Sequence, residues 1–450
     1  MNDDAASSAD AHPAIAERPS AARMPRSVGY IIGAEFTERI SYYGIQAILV
    51  IFMTTGLLAR DGTPAPMPES EAIALYHWFV SVSMFLPLVG ALLADALWGK
   101  YRTILWLSIA YSLGHAALSA DETRVGLVVG LALICAGAGG LKSCVPAMLG
   151  DQFTPAQAPL LSRVYSWYFW ILNLGSFVAT LATPLLLEHY GARVAFGVPC
   201  LLMTISAVVF RLGRRHYVDV PPAGAANTRA LLSWRSLGEL RVLAVISLLI
   251  VPPVGVLFIT NSAMVLQATH LNLRWMGFTW LPSQVFVFNP LFSLALIPFF
   301  SLVAFPALTR VVRLTPLRKM GAGFVMTMLG LLFLVWLQIS IDAGVRPSVG
   351  WHVLVIAIFV AAELLIHITA MEYAYRVAPA RLRSIAMSFR SLTMSLGNAF
   401  VAVLTSVVHV GGTGGGPGVS YYAIILAIVA VASAAFVLYT ARLPSADLDR

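Results

Sequence analysis

Charged residues are scarce in this sequence. Asp, Glu, Lys and Arg make up 11% of the 450 residues, whereas hydrophobic residues make up 59%. A soluble domain typically contains about 25% charged residues. The deficit excludes a soluble globular domain, and the long apolar runs predict an all-α polytopic membrane protein.

Cysteine is also rare. The three cysteines, Cys135, Cys144 and Cys200, all lie in apolar runs, which argues against a disulfide framework. The first 25 residues are rich in Ala, Ser and Asp and contain no apolar core, so we expect no cleavable signal peptide there. Residues 1–28 are predicted to form a disordered tail.

Motifs of enzymatic chemistry are missing as well. The sequence contains no nucleophile–base arrangement, no cluster of metal ligands and no phosphate-binding loop that follows a strand. We therefore expect neither an enzyme nor an ATP-driven pump, and no cofactor. An ion gradient is the energy source that remains for a transport protein.

Twelve apolar runs are long enough to cross a membrane as helices. They occupy residues 29–54, 74–96, 102–120, 124–149, 164–187, 194–211, 242–268, 284–309, 318–340, 350–375, 384–409 and 419–441. Of the Lys and Arg residues, 21 fall on one side of these spans, five on the other and three within them. This asymmetry follows the positive-inside rule, so both termini are predicted to be cytoplasmic. The net charge of +8 thus reflects topology and not a nucleic-acid partner.

A basic loop divides the twelve spans into two sets of six. The loop covers residues 212–241 and contains Pro221-Pro222. It separates a predicted N-terminal bundle, 29–211, from a C-terminal bundle, 242–441, which a short cytoplasmic tail, 442–450, follows. Two six-helix repeats with a basic linker are typical of the major facilitator architecture, which places the substrate at the interface between the halves.

The first span carries three charges, in the stretch EFTERISYYG at 35–44. Glu35, Glu38, Arg39 and Tyr42 are spaced to lie on one face of a helix. Charges in a membrane span are costly, so we expect this face to line a cavity. Its carboxylates can exchange a proton beside the arginine. The alternative is an ion cluster that only fixes helix packing.

Lys142 lies in a glycine-rich fourth span without a charged neighbour in sequence. Glu363 in the tenth span is the candidate partner, from the other half. An ion pair between them would form in one conformation and break in the other, which would make it a gate. The alternative is that Lys142 extends to one membrane surface.

Several other polar groups fall in or at the ends of spans. Asn173 and Asn289 either bind a substrate or bridge helices. Asp95, near Lys100 at the end of the second span, is interpreted as part of a gate. His77 is a candidate proton relay because histidine titrates near neutrality; the alternative is a packing residue.

The motifs together resemble the proton-dependent oligopeptide transporters over nearly the whole chain. The first-span stretch matches their E-x-x-E-R pattern followed by Tyr-Tyr-Gly. Further matches are GGLKSCVPAMLGDQF at 139–153, YSWYFWILNLGS at 165–176, FNP at 288–290, MEYAYRVAPARLRS at 371–384 and SLGN at 395–398. The resemblance implies a symporter that imports short peptides or peptide-like molecules with protons and acts as a monomer in the plasma membrane, which we expect to be a bacterial inner membrane.

The resemblance also implies residue roles. Proton coupling falls to Glu35, Glu38 and Arg39, with His77 where animal members have a second-helix histidine. Substrate binding falls to Arg39, Tyr42, Tyr43, Lys142, Asn173, Asn289 and Glu363, to which we add Arg390, a residue that the family pattern does not supply. Within that set, Arg39 and Lys142 would meet the peptide carboxylate, and Glu363 the amino group.

The chain departs from the family pattern mainly in its C-terminal half. Phe258 and Ile259 stand where members often have an acidic residue and Gln, Met264 stands at a Trp position, and Arg390 stands at another Trp position. The loop 212–241 leaves no room for the two extra helices of many bacterial members. An added arginine favours anionic groups on the substrate. A non-peptide anion is therefore the competing substrate, and a non-transporting sensor is a third alternative.

Overall fold

The computed structural model describes residues 24–154, 157–218, 220–222, 238–311, 314–379, 383–408 and 417–443. The predicted terminal tails fall almost entirely outside these ranges, as does most of the predicted linker. The side chains of 158, 159, 161, 162 and 383–385 are likewise outside the description.

The N-terminal half consists of long helices. They are α1 (Arg26–Ile51), α2 (Glu69–Leu93), α3 (Lys100–Ala120), α4 (Arg124–Asp151) and α5 (Ala158–Leu212). α5 is not one straight helix, because Gly191 interrupts it with φ 78°. Residues other than glycine rarely adopt this backbone conformation. The interruption divides α5 into two helical segments, where the sequence predicts two spans.

The C-terminal half is more interrupted. Its helices are α6 (Arg241–Leu249), α7 (Val251–Leu257), α8 (Ala263–Ala268), α9 (Phe288–Phe299), α10 (Phe305–Thr309), α11 (Pro316–Asp342), α12 (Gly350–Glu363), α13 (Thr369–Val377), α14 (Arg383–Val407) and α15 (Val419–Ala441). Between α6 and α7 the chain bends by 46°, where Pro252 and Pro253 cannot donate backbone hydrogen bonds. The predicted seventh span is therefore a broken helix.

One small β-hairpin departs from the predicted all-α fold. β1 (Arg274–Trp275) pairs antiparallel with β2 (Phe278–Thr279). Met276 and Gly277 form the turn with φ of 52° and 82°, as a two-residue hairpin requires. The hairpin connects α8 to α9 and lies outside the helical bundle.

Eight helices of the described residues are long and apolar enough to cross a membrane, and the bent α6–α7 unit makes nine. Reaching the predicted twelve requires α1, α14 and the division of α5 at Gly191. α1 is not among these nine, and it carries the charged residues Arg26, Glu35, Glu38 and Arg39. The count of twelve stays a prediction.

The ends of the bundle can be told apart by contacts. At one end, which we call the basic end, Lys100 Nζ lies 2.6 Å from Asp151 Oδ2, and Tyr30 stacks on His216. α1 and α3 begin here, and α4 and α5 end here. At the opposite end, Arg124 Nη1 lies 2.8 Å from Glu71 Oε1.

Candidate functional site

A cavity of about 540 Å³ lies between the two halves, a size that suits a small-molecule ligand. Of the predicted substrate residues, it brings together Arg39, Tyr42, Tyr43, Lys142, Asn289, Glu363 and Arg390. The wall residues on α2 lie near the end of that helix and those on α14 near its start. The cavity therefore extends from the middle of the molecule towards the basic end.

The first-span charges form a buried cluster on one face of α1, as predicted. Arg39 Nε lies 2.9 Å from Glu35 Oε1 and 2.7 Å from Glu38 Oε2. Tyr168 on α5 donates a hydrogen bond to Glu35 Oε1 over 2.8 Å. Glu38 is fully buried; apart from its ion pair with Arg39, neither of its oxygens makes a hydrogen bond of normal geometry within the described ranges. The cluster thus holds Glu35 through Arg39 and Tyr168, whereas Glu38 is held by its ion pair with Arg39.

A second, much smaller cavity lies behind this cluster, inside the N-terminal half. Glu35, Glu38, Ser108 and Ser206 are among its lining residues. It offers about 10 Å³ for the centre of a water molecule, which is roughly the space that one water needs. Glu38 therefore borders a pocket that can hold one water, and its ion-pair partner Arg39 lines the central cavity.

Lys142 contributes the second cation of the N-terminal half. Its Nζ lies 3.6 Å from the centre of the Tyr42 ring, a cation–π contact. In the part of the chain that the structure describes, this nitrogen has no hydrogen-bond partner and forms no salt bridge. The predicted Lys142–Glu363 contact is absent in this conformation, although both residues line the cavity. Their role as a gate stays a prediction.

Glu363 and Arg390 line the C-terminal side of the cavity. Glu363 Oε1 lies 3.7 Å from Nδ1 of His367, one helical turn further along the chain. Among the described residues, Arg390 does not pair with Glu372, the other acidic residue near the end of the tenth predicted span. Glu372 instead contacts Arg376 on its own helix and Lys319 on α11.

His77 connects the halves. Its Nδ1 lies 2.8 Å from Asn398 Oδ1 on α14, and its Nε2 lies 2.9 Å from Ser262 Oγ, just before α8. One helical turn further along α2, Ser81 Oγ lies 3.2 Å from Ser395 Oγ. Both ring nitrogens of His77 thus have partners, which favours a packing role. Its role in proton coupling stays a prediction.

Two predicted site residues lie away from the cavity. Asn173 donates a hydrogen bond to the Phe169 carbonyl of its own helix and is not among the residues that line the cavity. Asp95 is exposed, and the partner of Lys100 is Asp151. The structure therefore gives neither residue a contact with the cavity in this conformation.

Sequence reasoning missed three groups at the site. Tyr168 holds Glu35, but its partner is 133 positions away, so no local pattern indicates the contact. Asn398 is the last residue of the SLGN motif, and the sequence does not indicate its contact with His77. His367 was detectable, because it follows Glu363 by one helical turn.

Comparisons with known proteins agree in pointing to one family. The model of the POT family matches residues 101–234 and 239–416. Peptide transporter family 1 of Drosophila melanogaster is 34% identical over 365 residues, which cover 71% of this chain and 48% of that protein. Solute carrier family 15 member 2 of Oryctolagus cuniculus is 31% identical over 77% of this chain and 53% of its own length. The chain spans about half the length of these curated relatives.

Solved structures are similar along nearly the whole chain. The crystal structure of an auto-inhibited POT family peptide transporter is 31% identical with a TM-score of 0.85, and the match covers 95% of this chain and 99% of that chain. The POT family transporter PepTSo is 30% identical with a TM-score of 0.83, covering 93% and 98%. These similarities confirm the predicted fold class.

Proposed function

This chain belongs to the POT family, and we propose that it is a proton-coupled symporter that imports di- and tripeptides or peptide-like molecules by alternating access. One observation carries the proposal. A single cavity between the halves presents an amine, Lys142, from one half and a carboxylate, Glu363, from the other, next to the buried carboxylate Glu38. A short peptide is a zwitterion, and its two termini are complementary to this pair.

The geometry suggests how protons and substrate are coupled. Arg39 is engaged by Glu35 and Glu38. A proton on Glu38 removes one of the two negative charges that attract Arg39, so that the guanidinium gains capacity for a substrate carboxylate. Release of the proton restores the competing charge and expels the substrate. In this scheme, Tyr42 and Tyr43 form part of the wall that the substrate contacts.

The proposed orientation gives the transport direction. If the basic end faces the cytoplasm, as the positive-inside rule indicates, the cavity extends towards the cytoplasm. The His77 and Ser81 contacts then join the halves on the outer side. This arrangement corresponds to an inward-facing conformation. We place the protein in the plasma membrane, as a monomer that needs the proton and no other cofactor.

The test is uptake by the purified protein in proteoliposomes under an inward proton gradient. We expect labelled Ala-Ala and Ala-Ala-Ala to accumulate and to compete with each other. Collapse of the gradient with a protonophore should abolish accumulation while exchange continues. If neither peptide enters nor competes, the peptide assignment fails.

A second candidate keeps the fold and the proton coupling but carries a non-peptide anion. Arg390, which adds a cation to the cavity wall, favours this alternative. Competition by anionic amino-acid derivatives, without competition by any peptide, would support it over the first proposal.

A further inference from the structure

We propose that Arg390 forms a subsite for an acidic side chain, so that the preferred substrates are peptides whose first residue is Glu or Asp. This inference rests on the proposed function, because it assumes that the cavity binds a peptide. It concerns a third charged group of the substrate, in addition to the two termini.

The charges of the cavity wall carry the argument. Among the residues that the structure describes, four formally charged side chains line the cavity: Arg39, Lys142, Glu363 and Arg390. Arg39 is already in contact with Glu35 and Glu38 on its own helix. Lys142 and Glu363 then match the two termini of a zwitterionic peptide. Arg390 is left without a complement in a peptide whose side chains are neutral.

Arg390 itself is not committed to another residue. Among the residues that the structure describes, it has no salt bridge within 4 Å and no hydrogen bond. Glu372, an acidic residue of the preceding helix α13, contacts Arg376 and Lys319 instead. A guanidinium can bind a carboxylate through two parallel hydrogen bonds. An exposed guanidinium in a ligand cavity is therefore available for a second carboxylate of the substrate.

The position of Arg390 selects the first residue of the peptide. Arg390 lies near enough to Glu363 to interact with it electrostatically, and both also interact with Tyr43 on α1. The ammonium group and the first side chain leave the same Cα, whereas the next Cα is about 3.8 Å further along the peptide. A peptide whose ammonium group contacts Glu363 thus has its first side chain near Arg390, and its carboxylate extends towards Lys142.

The experiment compares isosteric peptides at one pH. Inhibition of labelled Ala-Ala uptake is measured with Glu-Ala, Gln-Ala, Ala-Glu and Lys-Ala, and their binding to the purified protein is measured by thermal shift. For the unmodified chain we expect Glu-Ala to bind about tenfold more tightly than Gln-Ala, the effect of one charge-assisted contact in a hydrated site. Ala-Glu should show a smaller preference than Glu-Ala.

Variants of Arg390 then test the subsite. Arg390→Gln should reduce the Glu-Ala to Gln-Ala affinity ratio to about one, and Arg390→Glu should make Lys-Ala better than Gln-Ala. Arg390→Lys, which keeps the charge without the bidentate geometry, should retain an intermediate ratio. Arg376→Gln is the matched control, since Arg376 lies outside the cavity wall, and it should leave the ratio unchanged.

The ratio is measured within each variant, so a general loss of activity does not imitate the effect. An equal ratio in the unmodified chain and in Arg390→Gln overturns the subsite, as does a preference for Ala-Glu over Glu-Ala. Both results leave peptide transport standing. If no peptide binds or competes at all, the proposed function fails, and the subsite fails with it.

Discussion

The two halves present charge to the cavity in different ways. In the N-terminal half, Arg39 contacts two carboxylates of its own helix, and Tyr168 on another helix fixes one of these. In the C-terminal half, among the described residues, Glu363 lies 3.7 Å from His367 and forms no salt bridge with Lys or Arg, and Arg390 forms no salt bridge or hydrogen bond. One cluster is preassembled, and the other is open.

This difference separates two tasks that a symporter must perform. A buried ionisable group needs fixed partners if its proton affinity is to stay the same from one substrate to the next. A substrate site binds its ligand more tightly when its charged groups have no partner in the protein, because the ligand then provides the partner. We infer that the N-terminal cluster handles the proton, and that substrate selection depends more on the C-terminal wall.

The largest effect is expected when the preassembled N-terminal cluster loses the side chain proposed to carry the proton, Glu38. Glu38→Gln keeps the shape of the side chain but removes its acid–base chemistry. A potential of 100 mV acting on one coupled charge provides about 2.3 kcal/mol, enough for roughly 40-fold accumulation of a neutral peptide. We expect accumulation to fall to about equality across the membrane while exchange persists. Flux in proteoliposomes under a set potential checks this.

The control for this variant is Glu71→Gln. Glu71 is paired with Arg124 at the opposite end of the bundle and is exposed to solvent, and exposed pairs contribute little. Its loss should leave accumulation intact. Unchanged accumulation in Glu38→Gln would remove Glu38 from the coupling mechanism.

The next largest effect is expected from the two residues, one in each half, that are proposed to bind the substrate termini. Lys142→Ala and Glu363→Ala should each raise the peptide KM about tenfold, the cost of one contact with a charged group. Together they should be non-additive by roughly 0.5–3 kcal/mol, either because a peptide bridges them or because they pair directly. A double-mutant cycle on KM measures this energy.

Lys142→Ala combined with Glu71→Ala is the reference cycle, since those residues share no partner. It should be additive within about 0.5 kcal/mol. Strict additivity of the Lys142 and Glu363 losses as well would refute both the bridge and the gate.

The sequence predicts a contact in this site well when the two residues are close in sequence and poorly when they are far apart. The shared face of Glu35, Glu38 and Arg39 follows from helical spacing alone, and the structure confirms it. The bend near Pro252 also follows from local chemistry. Contacts that join distant segments, such as Tyr168 with Glu35 and His77 with Asn398, depend on helix packing and leave no local signal. The predicted Lys142–Glu363 contact is not formed among the described residues, because the distance between side chains on different halves depends on helix packing; its role as a gate stays a prediction.

A smaller effect is expected where the halves are held together. His77→Gln should lose at least one of its two contacts with the C-terminal half. One neutral hydrogen bond contributes about 1 kcal/mol. The equilibrium constant for separation of α2 from α14 should therefore rise about fivefold. The measurement is the rate of disulfide formation between Ser81→Cys and Ser395→Cys, which should drop, by the full factor where the separated state predominates and by less where the joined state does.

His115→Gln is the matched control, because His115 is equally buried but lies inside the N-terminal half. It should leave the disulfide rate unchanged. Peptide accumulation in His77→Gln separately tests the predicted role of this histidine in proton coupling. A normal disulfide rate together with lost accumulation would assign His77 to the proton and not to the contact between the halves.

The smallest effect compares one asparagine from each half. Asn289 lines the cavity, whereas the side-chain amide of Asn173 donates to the Phe169 carbonyl of its own helix. Asn289→Ala should raise the peptide KM about three- to tenfold, the range expected for one hydrogen bond. Asn173→Ala should change KM less than about twofold, since surface substitutions away from such contacts have small effects. If Asn173→Ala instead gives the larger change in KM, Asn173 reaches the substrate in another conformation, and the cavity seen here does not include the whole binding site.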